Sequence, residues 1–336
     1  MTNTKRKETK SALDPFHEEM VVDLQPENTL EDLENFVKTI SVEVHDITDE
    51  GMTMEFDLIG VMASVANAIR RALLVEVPSM APETILLQQN KSVMADEVLG
   101  HRLGLIPFKA DARKYKFRPP GSKNDHPDYA VLFDLIAEAP KQNLKTDKKY
   151  ISTTVYSSQF KWIRHPDAHP PAMNDSSIRP VSDKILVNIL RPSQEMHLRI
   201  HVVKGIGKDH IKFSPVSLAS YRQLPWIKLK RPVDNEDADR LKGMFSPGVV
   251  EIDEDKNGSR QARIANARLD SRSQNVFRDP YLKNVVEMGL TKEHFIFSVE
   301  SIGALNVAAL VKEASAILRD RCEYHFLSIG TRDAHP

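Results

Sequence analysis

With 336 residues, a hydrophobic share of 41%, a charged share of 28% and a formal net charge of −1, the chain has the makeup of an ordinary globular protein of about two domains. The balanced charge excludes a whole-protein basic field for nucleic acid, though not a local basic patch. No apolar run approaches the roughly 20 residues of a membrane helix, and the single cysteine, Cys322, excludes an intrachain disulfide, a Cys-based zinc site and an iron–sulfur cluster within the chain.

Scarce cysteine suits a reducing compartment, cytosol or nucleus. The N-terminal MTNTKRKETKSALD has charges without the apolar core of a secretory signal. Its basic triplet Lys5-Arg6-Lys7 reads first as a solvated tail, with a nuclear address as the functional alternative. Residues 1–30 are polar and irregular and are expected to form a flexible tail.

Structure is expected from near Phe36. Ile40, Val42 and Val44 alternate with polar residues, as do Met52, Met54, Phe56 and Leu58, and Asp49-Glu50-Gly51 between them is a turn signal. This pattern predicts a β-hairpin. Gly60 is followed by VMASVANAIRRALLVEV, Val61 to Val77, with apolar residues at Val61, Val65, Ile69, Leu73 and Val77. That spacing predicts an amphipathic helix, which Pro78 stops. Arg70 and Arg71 lie inside it, about 100° apart around the axis, so both cannot enter one core. Either both snorkel to water, or at least one contacts a partner's carboxylate or backbone.

The middle of the chain is rich in proline and loops. Ile185–Ile189 and His197–Val203 read as strands. Val233–Asp239 (VDNEDAD) reads as a solvated acidic loop, and Lys256-Asn257-Gly258-Ser259 as a turn. Towards the C-terminus, Phe295, Phe297 and Val299 predict a strand. A long helix is expected from about Ala304, with Val307, Ala308, Val311, Ala314 and Leu318 on one stripe. Neither end can bury its apolar face alone. The two are expected to pack together as one discontinuous domain, 31–78 with 288–330, holding 79–287 as an insert.

Catalytic patterns are weak. Gly205-Ile206-Gly207-Lys208 follows a strand but lacks the spacing of a phosphate loop, and reads as a glycine turn. His165 and His169 could hold a metal on a helix, which Pro166, Pro170 and Pro171 forbid. No G-x-S-x-G is present. No catalytic residue, cofactor or metal site is assigned.

Four segments carry a resemblance. ANAIRRALLVEVPSMAPE (Ala66–Glu83), DEVLGHRLGLIPF (Asp96–Phe108), GIGKDHIKFSPVSLASYR (Gly205–Arg222) and FIFSVESIGALNVAALVKEASAIL (Phe295–Leu318) lie in the order found in RNA polymerase alpha-type subunits. The chain most resembles the larger alpha-like subunits that polymerases I and III share. RNA polymerase II third subunits and archaeal D subunits are the alternative, but many of those carry cysteine clusters that this chain cannot form. Bacterial alpha subunits add a C-terminal DNA-binding domain, which is not expected in a chain ending at Pro336.

The resemblance implies an α+β fold: a dimerisation domain of sheet plus two long amphipathic helices, with an inserted mixed α/β domain. It implies a nuclear, non-catalytic assembly role, pairing with a smaller alpha-like subunit and seating the two large catalytic subunits. The expected partner interface is Val65, Ile69, Arg70, Arg71, Leu73, Leu74, Val307, Val311 and Leu318. His101 and Arg102 are the candidates for large-subunit contact. Two rivals are weighed beside this. A stand-alone enzyme would need a convergent set of titratable groups. A direct nucleic-acid binder would rest on YRQLPWIKLKR, Tyr221–Arg231, where Trp226 sits among Lys228, Lys230 and Arg231; the plainer reading is a loop with Trp226 anchored in the core.

Overall fold

The computed structural model describes residues 30–119, 121, 126–141, 152–164, 178–254 and 260–332. Helix α1, Leu30–Thr39, belongs to a unit of its own. Within it the Thr39 hydroxyl donates to the Phe36 carbonyl at 2.7 Å. The remaining elements form the second unit.

That unit opens with the hairpin anticipated from the alternation. Strands β1 (Ser41–Thr48) and β2 (Thr53–Ile59) pair antiparallel, Val42 facing Leu58 and Val44 facing Phe56, with a bulge between Val44 and Asp46. The turn takes three successive positive φ values, Asp49 at 52°, Glu50 at 56° and Gly51 at 88°. Helix α2 then runs Ala63–Val75, inside the expected span. Strand β3 (Ser79–Asn90), helix α3 (Asp96–Gly104) and strands β4 (Phe108–Lys109), β5 (Ala130–Glu138), β6 (Thr153–Tyr156), β7 (Lys161–Ile163), β8 (Arg179–Pro180), β9 (Leu186–Leu190) and β10 (Glu195–Gly205) follow. After β11 (Val216–Leu229) come helix α4 (Asn235–Met244), β12 (Val250–Glu254), β13 (Arg260–Ile264), β14 (Val286–Ser301) and helix α5 (Val307–Arg332).

The ends of this unit meet in one antiparallel sheet, β1-β2-β14-β11. Phe297 of β14 stands opposite Phe56 of β2, and their rings stack with centroids 5.0 Å apart. Phe56, Leu58, Phe295 and Phe297 point to the face that α2 and α5 cover, where Ala66, Leu73, Val307 and Leu310 complete a dry core. The α+β class expected above is the observed one.

The middle of the chain holds more order than its loops suggested. A second sheet, β3-β10-β5-β7, packs with α3 around Leu99, Leu103, Phe133 and Leu198. A third core gathers Ala238, Leu241, Val249, Val276 and Leu282.

Two local expectations need correction. Val233–Asp239 is not a loop: α4 starts at Asn235 with Glu236 and Asp237 in its first turn, where the positive helix end favours carboxylates, and Ala238 and Leu241 are buried beneath it. Tyr221–Arg231 is not a loop either, since Val216–Leu229 is strand β11. It joins the terminal sheet beside β14, so the span 79–287 is not one inserted block. Pro225 hid the strand from view; it sits at a register shift, where a missing N–H does least harm. His165, His169 and Lys256–Ser259 lie outside the described residues, as does the N-terminal stretch before Leu30.

The glycine turn after β10 has a structural duty. The Lys208 N–H donates to the Val75 carbonyl at 2.9 Å, closing the C-terminal end of α2. A Cβ on Gly207 would lie 2.3 Å from the Leu74 carbonyl oxygen, which is backbone and cannot swing away. Gly207→Ala is therefore expected to destabilise the chain by about 1–3 kcal/mol through overpacking, measured as a lower urea midpoint at unchanged slope.

Candidate partner-binding surfaces

The α2–α5 pair divides the expected interface residues into two groups. Leu73 and Val307 are fully buried in the chain's own core, together with Ala66, Leu310 and Ala314. A partner cannot touch them in this conformation; the fold itself uses the most apolar line of each helix, and these two assignments are corrected accordingly. Ile69, Leu74, Val311 and Leu318 are half-buried along the margin of that core, and Val65 is 37% exposed.

The two arginines differ as their angular separation requires. Arg70 is half-buried and donates through Nε and Nη2 to the Asn67 side-chain oxygen at 3.1 and 2.9 Å, one helical turn back. Arg71 is exposed and has no acceptor among the described residues.

A surface that the sequence reading missed lies further along α5. An ion pair from Arg321 to Glu76, just past α2, marks where the two helices part. Beyond it Tyr324, Phe326, Leu327 and Ile329 are 69%, 79%, 67% and 65% exposed. At 100° per residue Phe326 and Ile329 lie on one side of the helix and Tyr324 and Leu327 on the other, so this exposed apolar stretch, of the kind that marks an interaction site, wraps more than one face. The signal was present in the sequence as YHFLSI (Tyr324–Ile329), but that run is apolar on more than one helical face. It therefore escapes a search for a single stripe.

On the second sheet, α3 places His101 on an exposed cavity of about 110 Å³, lined also by Pro82, Ile85, Gly104, Leu105 and His210, with the Lys212–Glu83 ion pair (2.5 Å) among its walls. Arg102 turns elsewhere: its Nη2 donates to the Leu186 carbonyl at 2.8 Å and ties α3 to β9. His101 thus lines an open cavity, while Arg102 serves the fold.

The outer face of the terminal sheet carries a charged cage. Asp57 on β2 is nearly buried and receives Arg268 Nη1 on both oxygens at 2.5 and 2.7 Å. His294 Nε2 and His45 Nε2 stand 2.6 and 3.2 Å from its Oδ2. Arg268 also grips Glu55, and its carbonyl accepts from Arg222 Nη2 at 2.8 Å. Burial alone would push the Asp57 carboxyl up; the bonds from Arg268 and His294 and the nearby positive charge outweigh it and hold it below the usual carboxylate value. Burial likewise works against the Arg268 charge, and the bonds to Asp57 and Glu55 reverse that and raise its pKa. The cage fastens the turn at Arg268 to β1, β2 and β14.

A sheet backed by two helices, with apolar and basic groups left open along those helices, describes a subunit built to be paired. The chain belongs to the RNA polymerase Rpb3/Rpb11 dimerisation domain family, whose model matches residues 55–322. It is similar to the DNA-directed RNA polymerases I and III subunit RPAC1 of Mus musculus, 43% identical over 300 residues covering 87% of this chain and 85% of that protein. RPAC1 of Saccharomyces cerevisiae is 36% identical over 87% of this chain and 88% of its own length. The DNA-directed RNA polymerase subunit Rpo3 of Methanobrevibacter smithii is 26% identical over 76% and 87%.

Proposed function

We propose that this chain is the larger alpha-like assembly subunit shared by RNA polymerases I and III, without a catalytic step of its own. It pairs with a smaller alpha-like subunit, and the pair seats the two large catalytic subunits in the nucleus, nucleolus included. The relatives named for polymerases I and III support the class. The observation that carries the pairing is the uncovered apolar run Tyr324–Ile329 on α5. Val65, Ile69, Leu74, Val311 and Leu318 extend that surface along the helix margin, and Arg71, with no acceptor among the described residues, supplies an exposed cation on α2. The terminal sheet with α2 and α5 is the dimerisation domain, to which β11 is added from the middle of the chain. His101 and its cavity are offered to a large subunit.

Obligate interfaces bury on the order of 2,000 Å² or more and concentrate their energy in a few anchors. Phe326→Glu with Ile329→Glu replaces two exposed side chains, so the fold should keep its circular dichroism and melting temperature. Co-purification of the smaller alpha-like subunit should fall at least tenfold, roughly 1.4 kcal/mol or more of lost affinity. Unchanged pairing would remove α5 from the interface. A pull-down of the full chain from nuclear extract should recover subunits of polymerases I and III together; polymerase II subunits alone would overturn the assignment.

A further inference from the structure

The end of β11 and the segment against it carry positive charge that forms no ion pair among the described residues. Lys228, Lys230, Arg231 and Lys283 are all exposed, and none has an acidic partner among the described residues. Strand pairing brings them together: Lys228 stands opposite Glu287, Leu229 opposite Val286, and the Lys230 N–H donates to the Val285 carbonyl at 2.8 Å. Two of the cations are held over aromatic rings. The Lys228 ammonium lies 5.2 Å from the Trp226 ring centre and the Arg231 guanidinium 4.7 Å from that of Tyr281. Trp226 rests against Gly289, where a Cβ would fall 2.4 Å from the indole. Asp279 is taken by Arg240 and by the N–H groups of Tyr281 and Leu282, and Glu287, opposite Lys228, has no ion-pair partner among the described residues.

We propose that this face binds an acidic, extended stretch of a neighbouring polypeptide in the polymerase, a contact separate from the α2–α5 surface and from the His101 cavity. Lys228 lies next to the last residue of β11, and Lys230 and Arg231 follow directly after the strand, with the Lys230 N–H still bonded across to Val285. Three cations within four consecutive residues present a short line of charge that matches closely spaced carboxylates on an extended peptide. Cation–π contact holds two of the charged groups in place before binding, which lowers the ordering cost. Nucleic acid fits less well. Single strands bind such grooves by stacking bases on free aromatic faces, and both rings here already hold a cation of this chain. A net charge of −1 also gives no long-range pull on a polyanion, whereas a short acidic segment needs only the local field.

The test uses polymerase purified through the tagged full-length chain. Amine acylation read by mass spectrometry should label Lys228 and Lys230 at least fivefold more slowly in the assembled enzyme than in the subunit with its pairing partner alone. Zero-length carbodiimide coupling should join one of them to an Asp or Glu of another subunit. Lys228→Glu with Lys230→Glu should abolish that cross-link and let the cross-linked subunit dissociate at half the salt concentration or less. Lys228→Arg with Lys230→Arg should retain it at the original salt. Equal labelling in both states, or protection without a carboxylate cross-link, would overturn the proposal. Protection that arises only when template DNA and RNA are added would also overturn it, and would assign the face to nucleic acid.

Discussion

Arg268→Met is expected to lower the unfolding free energy of the chain by about 3–5 kcal/mol, the range for leaving a buried charge without its partner. Alternation along β2 turns Phe56 and Leu58 to the helices and Asp57 to the opposite face, where its side chain is 3% exposed. Arg268 occupies both of its oxygens and binds Glu55 as well. Methionine fills a similar volume and returns none of those bonds. His45 and His294 stay in contact with Asp57 but supply charge only when protonated. Pairing Arg268→Met with Asp57→Leu should recover much of the loss, because the pair is then absent instead of broken. The pH dependence has a defined sign. The folded-state pKa of Asp57 is depressed, so its contribution is complete above the ordinary carboxylate value of about 3.9 and is lost as pH falls through the lowered one. Urea unfolding on a pH series should show a steeper acid decline in the wild type than in Arg268→Met. Parallel acid limbs would show that the cage does not set acid stability.

The elements that could be read in advance share one property: one face is apolar and the other is not. The β1–β2 hairpin, α2, β10, the end of β14 and the first half of α5 each carry that contrast at period 2 or 3.6 and were found where expected, although β14 as a whole starts at Val286, well before the expected Phe295. The elements that escaped lack it. Helix α4 fully buries only Ala238 and Leu241 in ten residues and opens on a run of polar ones, so its acids read as a loop when they serve its N-terminal end. Strand β11 is interrupted by Pro225, and its exposed positions, Ser217, Leu218, Ser220 and Lys228, follow no clean alternation. At the candidate site, the helix stripes were legible, but their division between core and partner was not. Leu73 and Val65 belong to one periodic series in the sequence, and only the placement of the sheet and α5 against α2 decides that the first is covered and the second open. The Asp57 cage brings together residues over two hundred positions apart, and no local pattern announces such a contact.

That division gives the second large effect. Leu73→Ala is expected to cost about 2–5 kcal/mol of folding stability, the sum of lost transfer energy and the cavity left behind. Leu73 is fully buried among side chains from β2, β14 and α5, including Phe56, Phe295 and Val307. The aromatic stack of Phe56 on Phe297 and the edge contact of Tyr221 on Phe295 at 5.4 Å hold the neighbouring positions, which limits collapse into the void and places the cost towards the upper part of that range. Val65→Ala removes apolar atoms from a partly exposed site on the same helix, and surface changes of this kind stay within about 0.5 kcal/mol in the free chain. The two variants should therefore separate in opposite assays. Leu73→Ala should lower the melting temperature of the chain with or without its partner. Val65→Ala should leave the free chain unchanged and weaken only the pairing. If both lowered pairing with folding intact, Leu73 would belong to the partner interface and not to the chain's own core.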